Sequence, residues 1–193
     1  MTAPVESRRQ SAEQALLDAA ERLLVESGYA GITTRSLAQE AGVNHGLVHY
    51  YFGSMENVLV RVLERFTERL IARQRTMYAA DVPFVEKWRE AMRYLDQDFT
   101  SGYHKVWYEL QALAWNRPEL KERIAGVAAE WRTVLTEAFD QARQEHAVDM
   151  PLDGLVALVA TFNQGIILER LSGIRAGHDA LLDWIEDWLG EAR

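Results

Sequence analysis

The chain has 193 residues, of which 48% are hydrophobic and 26% are charged, a composition typical of a protein that folds around an apolar core. It contains no cysteine, which excludes disulfide bonds and thiolate metal sites and fits a reducing compartment. Its formal net charge of −8 at pH 7 is opposite in sign to that of most nucleic-acid-binding proteins.

The first helix is predicted over residues 11–27, where leucine and alanine recur every three or four residues. Ser11 and Gln14 can form a capping box at its start, and Gly28 is expected to end it. Arg8 and Arg9 lie before this helix. They form either an arm that touches phosphate or the minor groove of DNA, or part of a solvated tail.

The stretch from Ile32 to Glu56 predicts two short helices joined by a tight turn and followed by a third. Thr33 or Thr34 can cap the first helix, and Gly42 can end it because glycine adopts positive φ without strain. The second helix can be capped by Asn44, and it turns Leu47, Val48 and Phe52 toward the core. This is the helix-turn-helix pattern, whose second helix can enter the DNA major groove. Two packed helices of an ordinary all-α core would look similar.

This stretch also resembles the N-terminal domain of the TetR (tetracycline repressor) family. The resemblance extends over roughly residues 11–60, and the rest of the chain fits that family in length and helical layout. It implies a dimeric transcriptional regulator whose last two helices pair and whose DNA binding responds to a small molecule. The residues that carry it are Gly28, Tyr29, Thr33, Thr34, Leu37, Ala38, Ala41, Gly42, Val43, Gly46, Leu47, Val48, Tyr50, Tyr51, Phe52 and Ser54.

Positions of the second short helix that do not face the core can hydrogen-bond base edges or phosphates. Up to Gly53 the chain has four arginines against six carboxylates, so DNA affinity must rest on a few placed cations, on helix N-termini and on two copies acting together. The family commonly has tyrosine in place of His49, histidine in place of Tyr51 and lysine in place of Met55, so one phosphate-binding cation is missing. The predicted DNA-contacting residues are Thr34, Arg35, Asn44, His45, Gly46, His49, Tyr50 and Ser54.

A long fourth helix is predicted over residues 54–79, with four arginines at four-residue steps, at positions 61, 65, 69 and 73. We interpret them as a salt-bridged, solvated face rather than as DNA contacts. Further helices are predicted from residue 84 and over residues 103–115, 118–145, 152–171 and 178–189. The predicted fold class is all-α, with a three-helix helix-turn-helix DNA-binding domain at residues 1–53 and a ligand-binding and dimerisation domain of about six helices at residues 54–193.

Aromatic side chains are dense in the fifth to seventh helices. A stripe of aromatic side chains usually belongs to the hydrophobic core. The polar residues His104 and Glu109 among the rings also suit an apolar cavity with a few polar groups. Asn163 and Gln164 lie among apolar residues, where an amide must bond either a ligand or another helix. The effector is expected to be small and largely apolar, and its predicted contacts are Trp88, Met92, Tyr103, Trp107, Tyr108, Gln111, Trp131 and Asn163.

The eighth helix is apolar around most of its circumference, so it must be covered on most sides. It is either the buried core helix of a monomer or, with the tryptophans of the ninth helix, an interface with a second copy. No uninterrupted apolar run of 18 residues and no signal peptide is visible, so we expect a cytoplasmic protein without a membrane partner. The homodimer interface is predicted to include Ala157, Thr161, Gly165, Leu168, Trp184 and Trp188.

These patterns and the family resemblance together favour a dimeric transcriptional repressor that binds palindromic operator DNA. The resemblance implies that a small-molecule effector releases it from DNA, and an activator is a variant of this prediction. The alternative is a small-molecule-binding helical protein that no longer binds DNA. An enzyme ranks third, because no glycine-rich phosphate loop or histidine–carboxylate cluster is visible. His45 and His49 have zinc-like spacing but no third ligand near them in sequence. No catalytic residue, metal or cofactor is therefore predicted.

Overall fold

The computed structural model describes residues 5–191, apart from the side chains of residues 5–9 and of residue 141. The described residues form nine α-helices and one short 3-10 helix, with no strand among them, so the predicted all-α class is confirmed. The elements are α1 (Val5–Ser27), the 3-10 helix (Tyr29–Gly31), α2 (Thr34–Glu40), α3 (Gly46–Phe52), α4 (Met55–Tyr78), α5 (Phe84–Thr100), α6 (Tyr103–Ala114), α7 (Pro118–Glu145), α8 (Leu152–Leu171) and α9 (His178–Glu191).

The first helix begins earlier than its apolar periodicity predicts. It starts at Val5, so Ser11 lies inside the helix and the predicted capping box there is wrong. The residues between them, ESRRQ, contain glutamate, arginine and glutamine, which favour helix, and no glycine or proline that would end one. The side chains of Arg8 and Arg9 lie outside the described part of the chain, so the predicted DNA-binding arm stays a prediction.

The helices pack into two compact units. The first comprises Met1–Phe66 and Phe99–Ile124, and the second comprises Thr67–Asp98 and Ala125–Arg193. Helices α4, α5 and α7 each contribute residues to both. This grouping describes packing, whereas the predicted boundary at residue 53 concerns function and stays a prediction.

The core of the first unit is centred on the N-terminal half of α4. Five of its residues within six positions are at most 1% exposed, and so are four residues of α1 that belong to the same unit. Gly102 shows how closely this unit is packed: it has φ +77°, and a Cβ there would lie 2.7 Å from Cγ2 of Val25. A larger residue is therefore excluded at that position by both conformation and space. These side chains are Val58, Leu59, Val60, Val62 and Leu63 of α4, and Leu16, Ala19, Ala20 and Leu24 of α1.

The second unit has smaller apolar clusters and one apolar helix, α8, of which only a small part is buried. Leu135, Val156 and Ala160 form one cluster, and Phe84, Ala142 and Leu189 form another. Within the described residues, α8 is the one helix that is long and apolar enough to cross a membrane, by length and composition alone. Only 22% of its most apolar segment is buried. One such helix is weak evidence for a membrane span, because core helices of water-soluble proteins meet the same criterion.

Candidate nucleic-acid interface

Helix α2 begins with a complete capping box. Thr33 is in an extended conformation, and its Oγ1 accepts a hydrogen bond from the backbone N–H of Ser36 at 3.0 Å. The Oγ of Ser36 accepts in return from the N–H of Thr33 at 2.9 Å. Two N–H groups that have no partner within the helix are thereby satisfied, which confirms the prediction that a threonine caps this helix.

Replacing Thr33 by alanine removes the half of this exchange that Oγ1 accepts, whereas the backbone N–H of residue 33 can still donate to Ser36 Oγ. We expect Thr33→Ala to lower the free energy of unfolding by about 1 kcal/mol, the usual loss at an N-cap. Urea unfolding of the full chain at fixed protein concentration measures the effect. Thr34→Ala, at the first helical position, is the matched control and should change stability by less than about 0.5 kcal/mol. Equal losses in the two variants would contradict the cap at Thr33.

The turn between α2 and α3 depends on one glycine. Gly42 has φ +67°, and no atom outside its neighbours would touch a Cβ there, so the conformation alone favours glycine. Asn44 Oδ1 accepts from the N–H of Gly46 at 2.9 Å. The predicted cap therefore contacts the helix start, although α3 begins at Gly46, with His45 as the formal N-cap.

Helix α3 separates an apolar face from an exposed polar one. Val48 and Phe52 are buried, at 2% and 6% exposure, whereas Tyr50 is 63% exposed. Of the predicted DNA-contacting residues, six are exposed and two are half-buried. The exposed ones are Arg35, Asn44, His45, Gly46, His49 and Tyr50, and the half-buried ones are Thr34 and Ser54.

The junction of α3 and α4 is fixed by side chains. Ser54 Oγ accepts from the N–H of Asn57 at 3.2 Å, and Asn57 Nδ2 donates to the carbonyl oxygen of Phe52 at 2.8 Å. Two arginines bind the start of α4. Arg117, just before α7, pairs with Glu56 at 2.6 Å, and Arg123 of α7 donates to Asn57 Oδ1 at 2.8 Å. Sequence reasoning missed these contacts, because the paired residues are 61 and 66 positions apart and no local pattern connects them.

A second side chain anchors the opposite end of the helix-turn-helix. Glu109 of α6 accepts at Oε2 a hydrogen bond from the backbone N–H of Tyr29 at 2.9 Å. Glu109 was expected to be a polar group of a ligand cavity, but its carboxylate binds the backbone of Tyr29 instead. The helix-turn-helix is therefore held at residue 29, before α2, and at the α3–α4 junction.

Ion pairs reduce the negative charge around α1 and α2. Arg65 donates to Asp18 at 2.7 Å and lies 3.3 Å from Glu21, and Arg22 pairs with Glu40 at 2.9 Å. Arg65 had been interpreted as part of a salt-bridged face, which is correct, although its side chain is 19% exposed rather than fully solvated. Three of the six carboxylates whose negative charge disfavours DNA binding are thus paired with arginines. Arg35 of α2 is exposed.

The predicted effector residues fall into both packing units. Four belong to the first unit (Tyr103, Trp107, Tyr108 and Gln111) and four to the second (Trp88, Met92, Trp131 and Asn163). Trp107 is buried at 8% exposure, and Trp131 donates from Nε1 to Gln74 at 2.9 Å. Burial raises the pKa of the Tyr108 phenol, which therefore stays protonated at neutral pH. The predicted effector set stays a prediction.

The second unit contains a half-open cleft of about 350 Å³ elsewhere. Arg75 and Glu137 lie on it 3.9 Å apart, and Lys87 donates to the backbone oxygen of Tyr78 at 2.8 Å. None of the predicted effector residues lines this cleft.

Most of the predicted interface residues on α8 and α9 are exposed. Leu168, Trp184 and Trp188 are 51%, 64% and 42% exposed, and the Trp188 ring packs against His146 in a tilted arrangement with ring centroids 5.7 Å apart. Thr161 and Gly165 are exposed and Ala157 is half-buried. No group of three or more potential metal ligands occurs among the residues that the structure describes.

Residues 16–62 match the family described as "Bacterial regulatory proteins, tetR family", and this segment contains α2 and α3. The chain belongs to the TetR family. It is a helix-turn-helix transcriptional regulator of a DNA-binding, non-enzymatic family. The helix-turn-helix prediction and the predicted absence of enzymatic activity are thereby confirmed.

Two similar proteins are HTH-type transcriptional regulators named BetI. The one from Rhizobium meliloti (strain 1021) is 37% identical over 57 residues, a match that spans 30% of this chain and 28% of the relative. The one from Paraburkholderia phytofirmans is 27% identical over 147 residues and 75% of each chain. Similarity is therefore higher over a short segment than over the chain as a whole.

Solved TetR-family structures share the fold along nearly the whole chain. A transcriptional regulator from Saccharomonospora viridis in complex with choline is 19% identical, with a TM-score of 0.75 over 94% of this chain and 97% of its own. The regulator FadR from Bacillus subtilis in complex with stearoyl-CoA is 16% identical, with a TM-score of 0.72 over 93% and 98%.

Proposed function

We propose that this TetR-family regulator is a cytoplasmic homodimeric repressor that binds near-palindromic operator DNA and is released by a small, largely apolar effector. The observation that carries the proposal is the division of α3, which buries Val48 and Phe52 and leaves His49 and Tyr50 exposed. A helix with a packed inner face and an exposed polar outer face can lie in the major groove without disturbing its own core.

DNA contact by this helix rests on few charges. Arg35 is the exposed cation of α2, and Asn44, His49 and Tyr50 can donate to base edges or phosphates. Gly46 has no side chain to keep the start of α3 from the groove floor. Because each subunit offers few cations, two subunits on two half-sites are needed for useful affinity at physiological salt.

The exposed apolar face of α8 and α9 supports the proposed dimer. Thr161, Gly165 and Leu168 follow one another at helical spacing and are all exposed, so they share one face. Gly165 has no atom within 4 Å of a would-be Cβ, which leaves room for a second helix to approach closely. Exposed large apolar side chains cluster in this part of the second unit, namely Leu158, Leu168, Leu171, Ile174, Leu181, Trp184 and Trp188. Such patches mark protein interfaces.

The effector is proposed to bind among the aromatic residues of α5 to α7. The structural neighbours that carry ligands hold chemically different ones, choline in one and stearoyl-CoA in the other. The acyl chain of stearoyl-CoA is apolar, and the cationic trimethylammonium group of choline can bind against aromatic faces, so both ligands are compatible with the aromatic and apolar side chains of the proposed set. The effector releases DNA only to the extent that it binds the DNA-incompetent state more tightly than the competent one.

Selection of bound DNA from a random pool by the purified full chain, at moderate salt, tests the DNA-binding part of this proposal. We expect a recovered near-palindrome with two half-sites about one helical turn apart or a multiple of it. A single half-site without symmetry would contradict the dimer. Failure to recover any sequence, both alone and with cell extract as a source of effector, would contradict operator binding.

A further inference from the structure

We propose that Arg123 of α7 is a positioning residue for DNA recognition, acting on the recognition helix α3 through Asn57. This inference rests on the proposed function, in which α3 contacts the operator. It adds a residue that lies 71 positions after the end of α3 and that need not touch DNA itself.

The first step is the contact between Asn57 and α3. Asn57 Nδ2 donates to the carbonyl oxygen of Phe52, the last residue of α3, at 2.8 Å. A terminal helix carbonyl has no partner within its own helix, so this side chain supplies one. The amide group of Asn57 therefore fixes where α3 ends relative to the first turn of α4.

The second step is the contact between Arg123 and Asn57. Arg123 Nη1 donates to Asn57 Oδ1 at 2.8 Å, while its Nη2 donates to Glu64 Oε1 at 2.8 Å. The planar guanidinium thus bridges two residues two turns apart on α4. Because its Oδ1 is held by Arg123, Asn57 keeps its Nδ2 directed at Phe52.

A neighbouring ion pair stabilises the same turn of α4. Arg117 Nη1 lies 2.6 Å from Glu56 Oε1. The backbone hydrogen bond at the helix start and the hydrogen bond from Arg117 lower the pKa of Glu56, so it is charged at neutral pH. Arg117 and Arg123 together attach the beginning of α7 to the beginning of α4, directly after the recognition helix.

Arg123 is suited to positioning rather than to binding phosphate. Its two terminal nitrogens donate to Asn57 and Glu64, and its side chain is 36% exposed. The carboxylate of Glu64 is shared with Arg61, which pairs with its other oxygen at 2.9 Å. Removing Arg123 should therefore disturb the placement of base-contacting side chains without removing a phosphate contact, and these two effects differ in their salt dependence.

The test compares Arg123→Met, Asn57→Ala and the double variant with the wild-type chain, using the selected operator and an unrelated DNA of equal length. We expect each single variant to lower operator affinity about tenfold, the scale of one hydrogen bond to a charged group. Affinity for unrelated DNA and the dependence of operator binding on salt should not change. The double variant should bind no more weakly than Asn57→Ala alone, because both changes break one chain of contacts. Arg132→Met, an exposed arginine of the same helix, is the matched control.

Three results would overturn the proposal: wild-type operator affinity in Arg123→Met, additive losses in the double variant, or a salt slope reduced by about one per subunit, which indicates a direct phosphate contact. Amide hydrogen exchange of residues 52–57 in the DNA-free protein provides a second readout. We expect faster exchange in Arg123→Met than in Arg132→Met, and equal exchange would also overturn the proposal. If the wild-type chain selects no operator, the proposed function fails, and the exchange measurement still decides whether Arg123 holds this junction.

Discussion

Gly165→Glu is expected to convert the proposed dimer into monomers and to lower operator affinity by at least about 100-fold. The substitution places a carboxylate on the proposed contact face of α8, where the partner helix would remove it from water. An unpaired buried charge costs several kcal/mol, and each subunit of a symmetric dimer carries the same change. Sedimentation velocity at micromolar concentration measures the mass, and gel shift on the selected operator measures the affinity.

The structure supplies a matched control for this substitution. Gly165 and Gly126 are both exposed helical glycines with no atom within 4 Å of a would-be Cβ. A glutamate therefore fits either site within one subunit, and it should favour the helix by about 0.5–1 kcal/mol relative to glycine. Gly126→Glu should remain dimeric and bind operator normally. If Gly165→Glu also sediments as a dimer, the interface does not pass through this face of α8.

The double substitution His49→Ala and Tyr50→Ala is expected to lower operator affinity about 100-fold or more while leaving helicity and dimerisation unchanged. Both side chains are exposed on α3, opposite the buried Val48 and Phe52. Their removal does not open the core, but it deletes contacts in both half-sites, each worth about 1–3 kcal/mol where it discriminates a base. Gel shift against operator and unrelated DNA, with circular dichroism on the same samples, measures the two properties.

Asp81→Ala combined with Val82→Ala is the control for this variant. Both residues are exposed in the turn between α4 and α5, so two side chains are truncated at a surface with no proposed DNA contact. This control should bind operator like the wild-type chain. Wild-type affinity in the α3 variant would show that another surface binds the operator.

Local features of this fold were predictable because they depend on neighbouring residues. Thr33 caps α2 and Gly42 ends it, as capping chemistry and positive φ require. The bounds of α7 and α8 follow from proline, glycine and helical periodicity. The start of α1 was missed because its first turns carry few apolar residues, so periodicity had nothing to detect although helix propensity was favourable.

Long-range contacts were not predictable because they join residues that are far apart in the sequence. Glu109 and Tyr29 are 80 positions apart, and Arg123 and Asn57 are 66 apart. A glutamate on an aromatic-rich helix looks the same in sequence whether it binds a ligand or a backbone N–H. Which aromatic rings line an effector cavity likewise depends on how helices pack, which spacing along one helix does not determine.

The two attachments of the helix-turn-helix share a property with an evolutionary consequence. Glu109 binds the backbone N–H of residue 29, and Asn57 binds the backbone oxygen of residue 52. Every residue type except proline offers the first group, and every residue type offers the second. Substitutions on the exposed face of α3 can therefore accumulate without loosening either attachment. The DNA preference proposed for α3 can therefore drift, or be exchanged by grafting, while the rest of the chain is inherited intact.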